Sequence, residues 1–381
     1  MKHPRIIFSL LLLTALTLSC RFTASTPVAT QRTDAPAPTD ETIIPGTPAS
    51  GTIPEGESAA YDWSALDQTL ESFVPGKVDG LTFLLAKDGQ VIYEKALGNQ
   101  TMDSFLPIAS STKMPSAVVI LTLVEDGLID LDEPVAAYLQ GHINWPADKA
   151  AITTRMLLNH TSGLLNPGCI SNRWNGTLQA CAQEIADAPL EFSPGTQFAY
   201  GGGSFQVAGY VAEVVSGKSW NDLFQERLAE PLGMTQFTYS GGTLGSETNP
   251  RIAGGASSDV VDYNKILQMI LNGGQYNGKQ ILSLQTVQMM SASQISGLPL
   301  LRSPGEDDLL LGYSFGFWIS DPSIHPGSNG PELSDQGAFG CTPWVDLDLG
   351  YSAILLIKDR TRTGTEIWNV IRPIIIRELD Q

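Results

Sequence analysis

The stretch Ile108-Ala109-Ser110-Ser111-Thr112-Lys113, which runs on through Met114-Pro115 to the apolar positions Val118, Leu121 and Val124, decides how the chain is read. The spacing of those apolar residues predicts a helix. On a helix Ser110 and Lys113, three apart, project from one face within reach of each other. That arrangement suits nucleophile activation. A serine hydroxyl is a weak nucleophile until a base removes its proton, and a partly buried lysine with a lowered pKa can act as that base. The helix N-terminus meanwhile favours the developing negative charge. Pro115 is compatible when its missing N–H falls in or near the first turn. A serine and a lysine three apart also arise by chance, so the pair needs support from its surroundings.

Composition narrows the classes of function. The 381 residues carry 22 Lys+Arg against 40 Asp+Glu, a formal charge of -18. A nucleic-acid or anionic-membrane partner would meet long-range repulsion, so neither is expected. Charged residues are 16% and hydrophobic residues 42%, with 37 Gly and 24 Pro, which fits a folded, loop-rich globular protein. Four His and four Cys occur without His-Glu-x-x-His or Cys-x-x-Cys spacing, so no metal site and no cofactor are expected. No repeat or heptad pattern suggests an obligate protein partner.

Residues 1–20 open with Lys2 and Arg5, continue as an apolar run from Ile6 to Leu18, and close on Ser19-Cys20. The run is too short to span a bilayer and reads as an export signal. Leu16-Thr17-Leu18-Ser19-Cys20 resembles a bacterial lipobox, although Thr17 and Leu18 depart from the usual pattern. An acylated Cys20 would tether the protein to a cell-envelope membrane by its lipid anchor alone; periplasmic release or secretion is the alternative. Residues 21–60 hold six Pro, eight Thr and seven Ala, a composition expected to form a disordered spacer ahead of a domain at 61–381. Export makes a disulfide between Cys169 and Cys181 reasonable, with Cys341 left as a small buried hydrophobe. Three glycosylation sequons, at Asn99, Asn159 and Asn175, are irrelevant in a bacterial source.

Apolar spacing predicts a helix over 62–73. The runs Leu81 to Leu85 and Val91 to Leu97 flank Asp88-Gly89 as a hairpin. The middle, from Ser110 to Met234, reads as helical patches broken by Gly and Pro. Strands are expected at 338–346 and 351–358, with a closing helix at 368–379. The two ends then build one α/β domain, of α+β type, around an inserted α-helical domain at about 114–235.

Support for the Ser110–Lys113 pair comes from Phe105-Leu-Pro-Ile-Ala-Ser110-Ser-Thr-Lys113, Asp130-Leu-Asp-Glu-Pro-Val135, Ile152-Thr-Thr-Arg-Met-Leu-Leu-Asn-His160-Thr-Ser-Gly-Leu164, Pro194-Gly195 before Tyr200, Pro231-Leu-Gly-Met234 and Gly254-Gly255, in that order. Together these motifs resemble the superfamily of serine β-lactamases, penicillin-binding proteins and class VIII esterases, from Asp62 to Leu379. The resemblance implies a β-lactamase/transpeptidase-like fold, an antiparallel sheet with helices beside an α-helical domain, and an active site between them. It implies an acyl-accepting Ser110, a proton-shuttling Lys113, and Tyr200 sharing base and acid duty.

Two motifs depart from the pattern. Tyr-x-Asn is replaced by Tyr200-Gly201-Gly202, so Gly202 stands where an amide would hold a substrate's amide side chain. The Lys-Thr-Gly motif aligns with Asp335-Gln336-Gly337. There Gly337 would permit close backbone approach, and the N–H groups of Ser110 and Ala338 would form the oxyanion hole. Asp335 and Gln336 would meet substrate, and the negative charge disfavours anionic substrates. His325-Pro326-Gly327 is a competing alignment for this motif. His160 matches a motif away from the nucleophile and is expected to be a structural, hydrogen-bonded residue. Gly312-Tyr-Ser314-Phe-Gly316 fits a nucleophile elbow, but a strand rather than a helix follows it.

The expected function is therefore an exported serine hydrolase acting on a small-molecule substrate. An esterase on neutral acyl groups stands ahead of a β-lactamase or D,D-peptidase. A non-catalytic envelope binding module of the same fold is the reading from another class.

Overall fold

The computed structural model describes residues 61–171, 176–239, 246–304, 312–320, 322–323 and 325–380. The expected export signal with Cys20, the spacer and the Asn175 sequon lie outside them.

A seven-stranded antiparallel sheet organises the molecule. Its strands are β1 (Gly80–Lys87), β2 (Gln90–Gly98), β3 (Gly312–Tyr313), β4 (Trp318–Ser320), β5 (Glu332–Ser334), β6 (Thr342–Asp346) and β7 (Tyr351–Ile357), in the spatial order β3-β4-β5-β6-β7-β1-β2. The N-terminal hairpin thus pairs with the C-terminal strand, β1 running beside β7 from Leu81↔Ile357 to Lys87↔Tyr351. Asp88 at φ 51° and Gly89 at φ 77° form the tight hairpin turn, in the left-handed region that an Asp-Gly pair tolerates.

Strand periodicity explains why β1 and β7 are buried on both faces. Successive side chains point to opposite faces, and here both faces are covered. Leu81, Phe83 and Leu85 of β1, with Ala353, Leu355 and Ile357 of β7, join the cluster holding Leu66 and Leu70 of helix α1 (Ser64–Ser72). Ile367, Trp368, Ile371 and Ile375 of the C-terminal helix complete that side. Leu84, Ala86, Ile354 and Leu356 point the other way, into the large cluster shared with the helical part of the chain. That part includes α2 (Lys113–Glu125), α3 (Gly203–Ser216) and α4 (Val260–Leu271). α2 is buried on nearly every side, with Met114 through Leu123 inaccessible.

Two sequence expectations shift. The closing helix, α5, spans Thr361–Leu379 and so begins before Trp368. Its Thr- and Gly-rich start has little helix propensity, but Gly364 packs on Gly340 and Thr342 so closely that a Cβ would stand 2.6 Å from Thr342 Oγ1. The strand expected from residue 338 begins at Thr342. Ala338 and Phe339 form a turn, and Gly340 lies at φ 94°.

Cys169 and Cys181 are disulfide-bonded with Cα atoms 5.5 Å apart, and Cys341 is free and buried. Among the described residues no helix is long and apolar enough to cross a membrane.

Candidate active site

Ser110 lies in a 3-10 turn, Ala109–Thr112, that passes directly into α2 at Lys113. Pro115 falls in the first turn of that helix, where an N–H has no partner to lose. Ala109 adopts φ 47°, a conformation that costs a non-glycine residue about 1–3 kcal/mol. Several bonds hold it there. Thr112 Oγ1 donates to Ala109 O at 2.6 Å and accepts from the Ala256 N–H at 3.1 Å. The Ile108 N–H donates to Ala256 O at 3.0 Å. Two residues beyond Ala109, Ser111 Oγ donates to Asp335 O at 2.5 Å, and Ser111 O accepts from the Tyr263 hydroxyl at 2.7 Å.

Lys113 is 2% exposed. Its Nζ donates to Ala253 O at 2.7 Å and stands 4.5 Å from the centroid of the Tyr200 ring. Burial disfavours the ammonium and pushes the Lys113 pKa down to about 8; the negative charge of Asp335 opposes this and Arg251 adds to it. A lysine in this state exchanges protons near neutral pH.

Tyr200 follows the short strand Phe198–Ala199, which pairs in parallel with Leu300–Arg302. The Tyr200 N–H donates to Arg302 O, and Tyr200 O accepts from Arg302 Nε at 3.1 Å. Glu191 grips the Arg302 guanidinium with both carboxylate oxygens, at 2.7 and 3.0 Å. The Tyr200 ring stacks on Trp318 at 5.5 Å and 20°. Its hydroxyl is buried beside Ser110 without closing a full hydrogen bond. Burial, reinforced by Asp335, raises the phenol above its ordinary range, so Tyr200 stays protonated; Ser110 acts weakly in the other direction.

His160 is nearer this group than its sequence motif suggests. Its ring centroid lies 4.7 Å from that of Tyr200, and its Nε2 shares a hydrogen bond with the Tyr313 hydroxyl at 3.1 Å. Burial, with the charges of Lys113 and Arg302, holds it well below the usual histidine range. It is therefore a neutral buttress behind Tyr200.

Asp335 follows β5 directly and is wholly buried. The expectation that it faces substrate has to be revised. Its Oδ2 accepts the Met114 N–H at 3.1 Å, at the start of α2, and burial holds its pKa well above the carboxylate range. The Gln336 amide donates to Ser334 Oγ at 3.1 Å. Gly337 presses on the backbone ahead of Ser110, where a Cβ would stand 2.0 Å from Ile108 O. Ala338 follows in the turn rather than on a strand. The competing His325-Pro326-Gly327 segment belongs elsewhere: the His325 and Pro326 carbonyls accept from Arg372 of α5, and Gly327 packs on Ile376. Ser314 is fully buried, and β4 rather than a helix follows it.

Gly201, Gly202 and Gly203 have no room for side chains. A Cβ would stand 2.6 Å from Asn166 Nδ2 at Gly201, 2.8 Å from Ile170 Cγ2 at Gly202, and 2.3 Å from Leu165 O at Gly203. Asn166 Oδ1 accepts the N–H groups of Gly202 and Gly203, both at 2.7 Å, at the start of α3. Asn166, Ile170, Ala253 and Trp318 were not legible in the sequence, because no spacing ties them to Ser110 or Tyr200. Among the described residues no cluster of three or more His, Cys, Asp or Glu could hold a metal ion.

Known proteins resemble this chain in sequence and fold. The family described as Beta-lactamase matches residues 66–371. A "Putative D-alanyl-D-alanine carboxypeptidase" of Escherichia coli O157:H7 is 25% identical over 308 residues, 62% of this chain and 71% of that protein. "Lovastatin esterase" of Penicillium rubens is 31% identical over 213 residues, 46% of this chain and 52% of that one. The crystal structure of a "putative beta-lactamase" from Bacteroides dorei superposes with a TM-score of 0.72 at 29% identity, covering 84% of this chain and all of that one. The chain belongs to the β-lactamase family of serine hydrolases, whose members include esterases and carboxypeptidases.

Proposed function

We propose that this protein hydrolyses neutral carboxylic esters through an acyl-enzyme on Ser110. The observation that carries the reading is the buried Lys113, its pKa drawn to about 8, on the same turn of chain as Ser110 and against the Tyr200 ring. In acylation Ser110 Oγ bonds to the acyl carbon as its proton passes to the neutral Lys113 amine. The N–H groups of Ser110 and Ala338 receive the oxyanion. The C–O bond to the leaving alcohol then breaks, with the proton returned through Lys113 and the Tyr200 phenol. Water repeats the sequence to release the acid and restore Ser110.

A neutral ester is favoured over an anionic substrate because the third motif brings no cation. Asp335 occupies the position of the lysine in Lys-Thr-Gly and is turned under α2. A β-lactamase or D,D-peptidase activity is the second reading, favoured by the Escherichia coli and Bacteroides dorei relatives. Acylation of Cys20 behind the expected export signal would hold this chemistry at the cell envelope on a lipid tether.

The test uses the full chain, wild type beside Ser110→Ala, with a fluorophosphonate, a series of p-nitrophenyl esters and nitrocefin. An adduct mapped to Ser110, with ester turnover lost in the variant, is expected. Faster turnover of nitrocefin than of any ester would reverse the order of the two readings. No adduct on folded protein would leave a binding module. Incorporation of an alkyne-bearing fatty acid, lost in Cys20→Ala, tests the tether.

A further inference from the structure

Gly202 vacates the position from which the motif's asparagine would reach toward substrate, and Ile170 fills it. The direction a Gly202 side chain would take ends 2.8 Å from Ile170 Cγ2 and 3.5 Å from the Ala253 Cβ. Ala253 is the residue whose carbonyl holds Lys113 Nζ. The vacated volume therefore lies beside the proposed base, bounded by the hydrocarbon of Ile170 and Ala253 and, at 3.9 Å, by Asn166 Oδ1, which already accepts the Gly202 and Gly203 N–H groups. Ile170 is not a loosely placed surface residue. It belongs to the one-turn helix Gly168–Ser171, packs against the main core, and follows Cys169, which is wholly buried and disulfide-bonded to Cys181 of the helix Leu178–Asp187.

We infer that Ile170, held by the Cys169–Cys181 disulfide, is a specificity-determining residue that replaces amide recognition with an apolar contact, so that the acyl pocket takes unsubstituted aliphatic acyl chains. The inference rests on the proposed esterase reading and names its substrate class. An amide at this place would pair with the polar side chain of a peptide-like acyl group. An isoleucine offers such a group no hydrogen bond, and the nearby Asn166 oxygen is already taken by two backbone N–H groups, so a buried polar side chain is disfavoured there. An aliphatic chain loses nothing there and gains contact area. An asparagine at 202 would have to displace the Ile170 side chain, whose Cγ2 stands 2.8 Å from where its Cβ would lie.

The test is a double-mutant cycle with Gly202→Asn, Ile170→Ala and their combination. Substrates are p-nitrophenyl acetate, p-nitrophenyl octanoate and the p-nitrophenyl ester of N-acetylglycine. Ile170→Ala should change the octanoate-to-acetate ratio of kcat/KM on the order of tenfold, as gained or lost methylene contacts do in apolar pockets. Gly202→Asn alone should lower the melting temperature by a few degrees, through overpacking against Ile170. The double variant should recover that loss and raise the N-acetylglycyl ester relative to the octanoate. Unchanged ratios in Ile170→Ala, or Gly202→Asn as stable alone as in the pair, would overturn the inference. Fluorophosphonate labelling of Ser110 in the wild type separates the two failures. A labelled enzyme with unmoved selectivity defeats the role of Ile170 alone, and an unlabelled folded enzyme defeats the esterase reading with it.

Discussion

Lys113 Nζ is held between the carbonyl of Ala253, at 2.7 Å, and the face of the Tyr200 ring, 4.5 Å from its centroid. The amine is thus desolvated on one side and offered a cation–π contact on the other. Lys113→Ala should slow fluorophosphonate labelling of Ser110 by about 10²–10⁴, the range for loss of a positioned base. The variant should remain folded, with an unchanged or higher melting temperature, because it removes an amine whose burial is costly. Undiminished labelling would place the base elsewhere.

The pH profile follows from the same group. In the proposed mechanism only neutral Lys113 accepts the Ser110 proton, so labelling should rise with pH through a midpoint near 8 and flatten above it. The charge of Asp335 raises the Lys113 pKa, so Asp335→Asn should move the midpoint to lower pH. A purely structural loss would lower the plateau and leave the midpoint in place. A midpoint that does not move would show that Asp335 is uncharged in the working enzyme.

Gly337 makes a second, mechanical link between the third motif and the nucleophile. A Cβ there would stand 2.0 Å from Ile108 O, backbone against backbone, with no flexible side chain to yield. Gly337→Ala should therefore cost about 1–3 kcal/mol in overpacking, and scanning calorimetry would show it as a fall of several degrees. Labelling of Ser110 should fall with it, since the displaced segment leads into the turn that carries Ala338.

A separate acidic pair lies on the α5 side of the sheet. Glu332 and Asp346 face each other across β5 and β6 and are both inaccessible, with Arg372 of α5 donating to Glu332. Burial, and then Glu332, push Asp346 up to about 6. Its folded pKa exceeds the unfolded value. Its contribution to stability is therefore fully present below about pH 4 and is lost as pH rises through about 6. Asp346→Asn should raise the melting temperature at pH 7.5 and change it little at pH 4. The Asn oxygen can still accept from Ser328 Oγ and the Asp348 and Leu349 N–H groups, which now bond to Asp346 Oδ1. Equal effects at both pH values would rule out titration of Asp346.

The strands and helices that could be read in the chain are those whose periodicity is local. The hairpin at Asp88-Gly89 and the buried runs of β1 and β7 follow from alternation and a turn dipeptide. The early start of α5 did not, because its first residues fold as helix only where Gly364 meets Gly340. The turn at Ala338 did not either, because Cys341-Thr342-Pro343 continues the apolar pattern that Ala338-Phe339 begins, and only the positive φ of Gly340 separates them.

By itself the sequence determined the family and the fold class and singled out Ser110, Lys113 and Tyr200 as the candidate site, because each sits in a motif whose order along the chain carries the information. What only the tertiary structure decided is where charge and volume lie around them. Asp335 turns under α2 because the Met114 N–H at a helix start is an unsatisfied donor. His160 packs on Tyr200 because the Phe198–Ala199 and Leu300–Arg302 strands bring the two together. Ile170 lies against Gly202 on the one-turn helix that follows the disulfide-bonded Cys169. These are contacts between segments far apart in the chain, and no local spacing records them.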